Sequence, residues 1–308
     1  YVLSINAAAK EIFGADDGSA GQDFLTIDRS SAMSGAVQAA MRDGHAEIRS
    51  ERAGRNYRFD LTRIESGGRS IGTVILAFDV TEQEQAERMR REFTANVSHE
   101  LKTPLQGIIG SAELIENGLV KPEDMPRFVG HIHSEASRLM ALISDIIRLS
   151  QLDEGEEMPR ESVDLYDEAA EAEENLRTAA EEKGVKLSLT GEGAEISGVR
   201  RLVYEIIYNL CDNAIKYNRP GGSVEVRVTQ SESEAAVTVA DTGIGIAPED
   251  QARVFERFYR ADKSRSKESG GTGLGLSIVK HAVQYHHGSI DLKSTPGEGT
   301  TIKVTFPK

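Results

Sequence analysis

Phe93–Leu105, FTANVSHELKTPL, sits within a segment whose apolar residues recur at one helical spacing, and that spacing decides the fold. Ala86, Met89, Phe93, Val97, Leu101, Leu105, Ile108, Ala112 and Ile115 lie three or four residues apart, as a long helix with a single apolar stripe requires. His99 is two residues from Val97, about 200° round such a helix, so its imidazole is predicted to face solvent. Lys102 and Thr103 share its face at i+3 and i+4, while the adjacent Glu100 reaches the ring only from the side. A carboxylate beside an imidazole favours one tautomer and supports nucleophilicity. Pro104 cannot donate to the carbonyl of Glu100, which predicts a bend one turn after His99.

Downstream, Phe128, Ile132, Ala136, Leu139, Ile143 and Ile146 repeat the spacing, so a helical hairpin is expected over residues 81–153, turning between Asn117-Gly118 and Pro122. Two helices bury too little apolar surface to stand alone, whereas two copies of the hairpin share a core as a four-helix bundle; a homodimer is predicted. Upstream, residues 1–80 combine a helical start at Asn6–Phe13 with alternating runs at Tyr57–Ile64 and Ile71–Phe78, the pattern of a small α+β domain. The acidic stretch after Asp153, with Gly155 and Pro159, breaks the period and reads as a linker over residues 154–163. Beyond it, in residues 164–308, helices (164–183, 199–217, 275–286) alternate with strands (185–190, 223–229, 235–240, 289–294, 300–306), which predicts a two-layer α/β sandwich. The fold class is therefore multidomain α+β.

Composition narrows the function. The 308 residues carry a formal charge of −14, which argues against direct nucleic-acid binding, since neutralising phosphates needs clustered Lys and Arg. One cysteine, Cys211, excludes an internal disulfide and a multi-thiolate metal site, and reads as a small buried hydrophobe. The longest apolar run, Ile71–Phe78, is far short of the roughly twenty residues of a spanning helix. The chain opens at Tyr1 in what reads as mid-strand, without an initiating Met, and is expected to belong to a longer protein.

The second half holds a candidate nucleotide site. In LVYEIIYNLCDNAIKY, Asn209, Asn213 and Lys216 form a polar stripe beside a core face of Val203, Ile206, Ile207, Leu210 and Ala214. Asparagine carbonyls can ligate Mg²⁺ and a lysine can meet phosphate, although a polar outer face would show the same stripe. A predicted strand at Ala236–Ala240 runs into Asp241-Thr-Gly243-Ile-Gly245, where a carboxylate can accept from an exocyclic amine and glycines let backbone approach a flat ring. An aspartic protease also uses Asp-Thr-Gly, but it needs a second such carboxylate and this chain has none. Gly270-Gly271-Thr272-Gly273-Leu274-Gly275 opens a helix whose free N–H groups can cradle phosphate. Its GxGxG spacing and the charged loop before it, Asp262–Ser269, exclude a dinucleotide fingerprint. That loop reads as a lid, whose Lys263, Arg265 and Lys267 either meet phosphates or are simply solvated.

SHELKTPL resembles the phosphoacceptor box of sensor histidine kinases, and NLCDNAIKY, DTGIGI, VFERFYRADKS and GGTGLGLSIVK resemble the N, G1, F and G2 boxes of their ATP domain, over about Phe93–Phe306. The resemblance implies that His99 accepts the γ-phosphoryl group of ATP, that Glu100 acts as general base, and that Thr103 positions water for dephosphorylating a partner. It further implies that Asn213 holds Mg²⁺, that Asn209 and Lys216 contact phosphates or metal, and that Tyr217 stacks on adenine. Asp241 would bind the adenine amine, Gly243 and Gly245 would shape the base pocket, and Arg260 would approach the transferred phosphate. Gly271, Thr272, Gly273, Leu274 and Gly275 would close the lid. A response-regulator partner and a membrane anchor upstream of Tyr1 are implied as well. Gyrase-, chaperone- and mismatch-repair-type ATPases resemble this domain but carry a Glu where Asn209 stands; without that base, transfer to a positioned histidine is the better chemistry than hydrolysis, and a nucleotide-binding scaffold ranks last. VLSINAAAKEIFG at Val2–Gly14 and GTVILAFDVTE at Gly72–Glu82 resemble a PAS sensor module, with a relay role favoured over ligand binding.

Overall fold

The computed structural model describes residues 1–153, 158–261 and 272–308. The chain divides into two compact units, Tyr1–Ala95 and Asn96–Lys308.

In the first unit, helices start where a short polar side chain can take a free N–H, and two of them, ending at Gly14 and Gly44, stop at a left-handed glycine. Helix α1 (Ala7–Phe13) is capped by Asn6, whose Oδ1 accepts from the N–H of Ala9, and ends at Gly14 with φ +62°. Helix α2 (Phe24–Ile27) is capped by Asp23, and α3 (Ser31–Asp43) by Ser30. Three antiparallel strands follow in the order β1 (His45–Arg52), β2 (Arg55–Ser66), β3 (Arg69–Asp79). Met33, Ala36 and Ala40 of α3 bury against Phe59 and Leu61 of β2. The sequence reading anticipates α1, β2 and β3 but not α3 or β1. The buried side of α3 is largely alanine, and β1, HAEIRSER, alternates only Ala46 and Ile48 against charge, so neither carries a strong period.

Helix α4 (Thr81–Glu116) continues through Pro104, and α5 (Met125–Asp153) follows after Gly118, with φ +67°, and a short 3₁₀ turn at Pro122–Asp124. The two helices meet where Gly107 leaves room for the His131 ring and where Ser111 Oγ lies 3.1 Å from His131 Nδ1. Large apolar residues on and beside the stripe have no cover in a single chain: Leu105, Ile109 and Leu114 of α4 and Met140, Ile143 and Ile147 of α5 are exposed.

The remaining residues form a two-layer sandwich. A five-stranded sheet, ordered β5 (Lys186–Gly191), β7 (Ser223–Gln230), β8 (Glu234–Asp241), β10 (Gly299–Pro307), β9 (Ser289–Thr295), is antiparallel except for the β5–β7 pair. Helices α6 (Leu165–Lys183), α7 (Arg200–Lys216) and α9 (Gly275–Tyr285) pack on it, with a four-residue α8 (Pro248–Gln251) at one end. Leu176, Ile206, Ile207 and Leu210 from the helices meet Val224, Val226, Val237, Val304 and Phe306 from the strands. The predicted elements recur within a residue or two at their ends, as helix and strand boundaries do. The linker reading needs correction at its carboxyl end. Glu161–Asp164 forms β4, paired antiparallel with β6 (Glu195–Gly198), because Val163 and Ile196 bury together there; residues 154–157 lie outside the described residues. Among the described residues no helix is long and apolar enough to cross a membrane.

Candidate functional site

Helix α7 carries the largest share of the site. Its starting residue, Val199, offers no side-chain cap, and its N–H donates instead to Nε2 of buried His286, at 3.0 Å. One face of α7 is core; the opposite edge turns Asn209, Asn213, Lys216 and Tyr217 into a cavity of about 410 Å³. Asn209 Nδ2 donates to the carbonyl of Glu205, which leaves its Oδ1 directed at Gly275, where a Cβ would come within 3.0 Å of it. Lys216 pairs with Asp212 one turn back, at 2.7 Å. The carbonyl of Lys216 accepts from Lys183 of α6, whose ammonium pKa is lowered by burial first and by Lys216 second.

The far wall comes from the end of β8. Asp241 stands opposite Thr300 in the β8–β10 register, and its Oδ1 accepts from the N–H of Gly243 at 2.7 Å. Burial pushes its carboxyl above the ordinary value, opposed by the hydrogen bonds from Gly243 and Thr300. The glycines here are steric necessities. A Cβ on Gly243 would lie 2.5 Å from the Tyr217 carbonyl, and one on Gly245, at φ +69°, 2.1 Å from that of Thr295. Arg260, Thr272, Gly273 and Gly275 line the cavity as well. Cys211, on the core face of α7, is fully buried, its thiol pushed up to about 12 by desolvation.

The hairpin contributes a second cluster in the same unit. His99 is 80% exposed, with Nδ1 3.8 Å from Glu100 Oε1. Thr103 Oγ1 donates to the carbonyl of His99 at 3.2 Å. Arg260 links this cluster to the cavity: its Nη2 is 3.5 Å from Glu100 Oε2, and Arg138 of α5 approaches the same oxygen at 3.9 Å. The acid beside His99 and the arginine expected near the transferred phosphate therefore face one another.

Leu274 departs from its expected place. Its side chain leaves the cavity and is fully buried among Leu142 and Leu149 of α5 and Ile278 of α9, with Leu101, Ile146 and Phe258 around them. Gly271, like Lys263, Arg265 and Lys267, lies outside the described residues. Sequence reasoning missed the α5 wall of the cavity, formed by Ala141 and Asp145, and the Asp153–Arg257 pair at 2.7 Å. It also missed Thr300, Ile302 and Tyr208. Asp145 lies four residues after Ala141 and one before Ile146 of the apolar stripe, a spacing that could have marked it as facing a neighbour. Among the described residues no group of three or more His, Cys, Asp or Glu side chains could hold a metal ion. Mg²⁺ does not need one, because it keeps several waters and takes one or two protein oxygens alongside phosphates.

Comparison with known proteins follows the same division. Residues 89–155 match the His Kinase A (phospho-acceptor) domain, and residues 198–308 match the histidine kinase-, DNA gyrase B-, and HSP90-like ATPase family. The chain is 39% identical over 237 residues to the sensor-like histidine kinase SenX3 of Mycolicibacterium smegmatis, covering 76% of this chain and 62% of that protein. It is 34% identical over 251 residues to the sensor protein SrrB of Staphylococcus aureus, covering 80% of this chain and 43% of that one. It thus spans only part of the length of these relatives. Among solved structures, full-length ShkA in complex with AMPPNP is similar at TM-score 0.54 and 28% identity, over 70% of this chain and 45% of that one. The histidine kinase ThkA in complex with the response regulator protein TrrA is similar at TM-score 0.58 over 99% of this chain and 92% of that one; at 20% identity this is a likeness of fold.

Proposed function

The chain belongs to the sensor histidine kinases, and from that premise we propose that it phosphorylates its own His99 from ATP and passes the phosphoryl group to an aspartate of a response regulator. The observation that carries the reading is convergence: the asparagine stripe of α7, Asp241 and the glycine loop line one cavity, and Arg260 leads from it to the acid beside an exposed histidine.

The chemistry follows from the atoms. With Nδ1 nearer the Glu100 carboxylate, the favoured neutral tautomer carries its proton on Nδ1 and leaves the Nε2 lone pair free. Nε2 attacks the γ-phosphorus, the bond to the β,γ-bridging oxygen breaks, ADP leaves, and Glu100 takes the Nδ1 proton from the imidazolium. Asp241 would accept from the adenine amine, Tyr217 would stack on the base, and Gly243 and Gly245 keep backbone close enough to exclude bulk there. Asn213, through its amide oxygen, and Asn209 beside it would hold Mg²⁺, which when bound would supply positive charge against the phosphates. Lys216 and Arg260 would offset phosphate charge, and Thr272, Gly273 and Gly275 supply the amino end of α9. Leu274 and Gly271 belong to the same closing loop in sequence.

Further proposals attach to this reading. The exposed apolar residues of α4 and α5 support a homodimer built on a four-helix bundle. Thr103, one turn beyond His99 on the same face, supports dephosphorylation of the regulator by a positioned water. Residues 1–80 form an α+β unit consistent with a PAS-like relay, and attachment to a membrane would come from segments beyond these residues.

The decisive experiment incubates the chain with γ-labelled ATP and Mg²⁺ beside a His99→Gln variant. Acid-labile, base-stable label in the first alone is expected; equal label in both would move the acceptor elsewhere, and a failure of Asn213→Ala to reduce labelling would remove that residue from the metal site.

A further inference from the structure

Asp145 belongs to α5, yet it forms part of the nucleotide cavity wall. Its Oδ2 accepts from Thr272 Oγ1 at 2.8 Å, and Thr272 Oγ1 in turn accepts from the N–H of Leu274 at 3.3 Å. Leu274 is the residue from which α9 starts, and it provides no side-chain cap. A carboxylate therefore sits, through one hydroxyl, against the positive end of α9, where an anion is favoured. Leu142 and Leu149, three residues before and four after Asp145 on the same face of α5, are buried against Leu274 and Ile278. Polar and apolar contacts thus hold the amino end of α9 on α5 as one docked surface.

The two nearby cations that could neutralise Asp145 are engaged elsewhere: Arg148 lies 3.2 Å from Glu205, and Lys216 pairs with Asp212 at 2.7 Å. Burial raises the Asp145 carboxyl above its ordinary value, with the Thr272 hydrogen bond and the fields of Arg148 and Lys216 acting the other way and that of Glu205 adding to it.

We propose that Asp145 gates the nucleotide site: through Thr272 its carboxylate takes the anion position at the amino end of α9 that a phosphate of ATP must take, so that docking of α5 on α9 and nucleotide binding oppose one another. The proposal rests on the cavity being an ATP site, as argued above. Coupling of this kind is reciprocal, so nucleotide loosens the docked surface by the same factor by which docking weakens nucleotide. It also locates the control in the hairpin, the element that carries His99, so anything that moves α5 changes how readily the site fills.

The test compares the full chain with Asp145→Asn, which keeps the shape and an acceptor for Thr272 but removes the charge. Binding of a fluorescent ADP derivative in excess Mg²⁺ is read by anisotropy, and autophosphorylation by initial rate. A carboxylate several ångströms from phosphate at an effective dielectric near 20 is worth about tenfold in affinity or more. Asp145→Asn is therefore expected to bind about tenfold tighter and to autophosphorylate faster. Equal measurable binding by both chains overturns the gate and leaves the kinase reading standing. Weaker binding by the variant overturns it in favour of Asp145 as a nucleotide or metal contact. Absence of binding in both overturns the kinase reading along with the gate.

Discussion

His286 shows how a residue far from the chemistry sets the position of a site helix. Its Nε2 accepts from Val199 N–H, and its Nδ1 lies 2.7 Å from the carbonyl of Ala282, so the neutral ring with the proton on Nδ1 satisfies both bonds. Burial lowers its pKa, Arg160 and His287 press in the same direction, and only the Ala282 hydrogen bond opposes them. The folded state therefore resists a proton that the unfolded chain accepts near pH 6.5. The unfolded state binds more protons below that value, so stability is full above it and falls with pH, by up to about 1.4 kcal/mol per pH unit until the folded ring is itself protonated. His281, also lowered by burial and by Arg257, adds a loss of the same sign. Thermal melts between pH 7.5 and 5 should show midpoints falling with pH and a shallower fall in His286→Gln; an unchanged slope would exclude His286 as a source. At this scale the sequence identifies Asn209, Asn213 and Asp241 among the groups that line the cavity, because they sit in dense local motifs. It is blind to His286, whose partner, Val199, is 87 residues away.

The packing of α9 on α5 joins the ATP-binding layer to the hairpin. Leu149 has no exposed surface and contributes to a cluster with Leu142, Leu274 and Ile278. Leu149→Ala removes apolar contact and leaves a cavity, a loss of about 2–5 kcal/mol when such a site cannot collapse. Hydrogen exchange should then speed up in the first turns of α9 and the last turns of α5, while the β7–β8–β10 strands keep their protection. Uniform acceleration would mean that the cluster supports the whole sandwich rather than one docked surface. From sequence, Leu274 reads as one more residue of a glycine loop. Its side chain packs on α5 and away from the cavity, where Gly273, at φ +74°, lets the backbone turn just before it. Periodicity can say that a helix has an apolar face, but it cannot say which partner fills it.

Across the molecule, the apolar surface left uncovered is the strongest constraint on assembly. Leu105, Ile109, Leu114, Met140 and Ile147 of the hairpin are left exposed by the described residues. Sedimentation equilibrium is expected to give twice the 33.5 kDa chain mass, and Ile109→Glu combined with Ile147→Glu is expected to shift the population toward single chains by burying charge in the shared core. A double variant that remained fully dimeric would place the interface elsewhere. By itself the sequence determined the helical hairpin, the alternating second half and the nucleotide motifs, because each is written in local spacing: a 3.6-residue period, strand-length runs, and glycines where backbone must approach a ring or a phosphate. Only the tertiary structure decided that Arg260 meets Glu100, that Leu274 packs on α5 and that Asp145 closes one wall of the cavity. Those contacts join residues more than a hundred positions apart, and their energy comes from desolvation and complementary charge that exist only once α5 and α9 lie side by side.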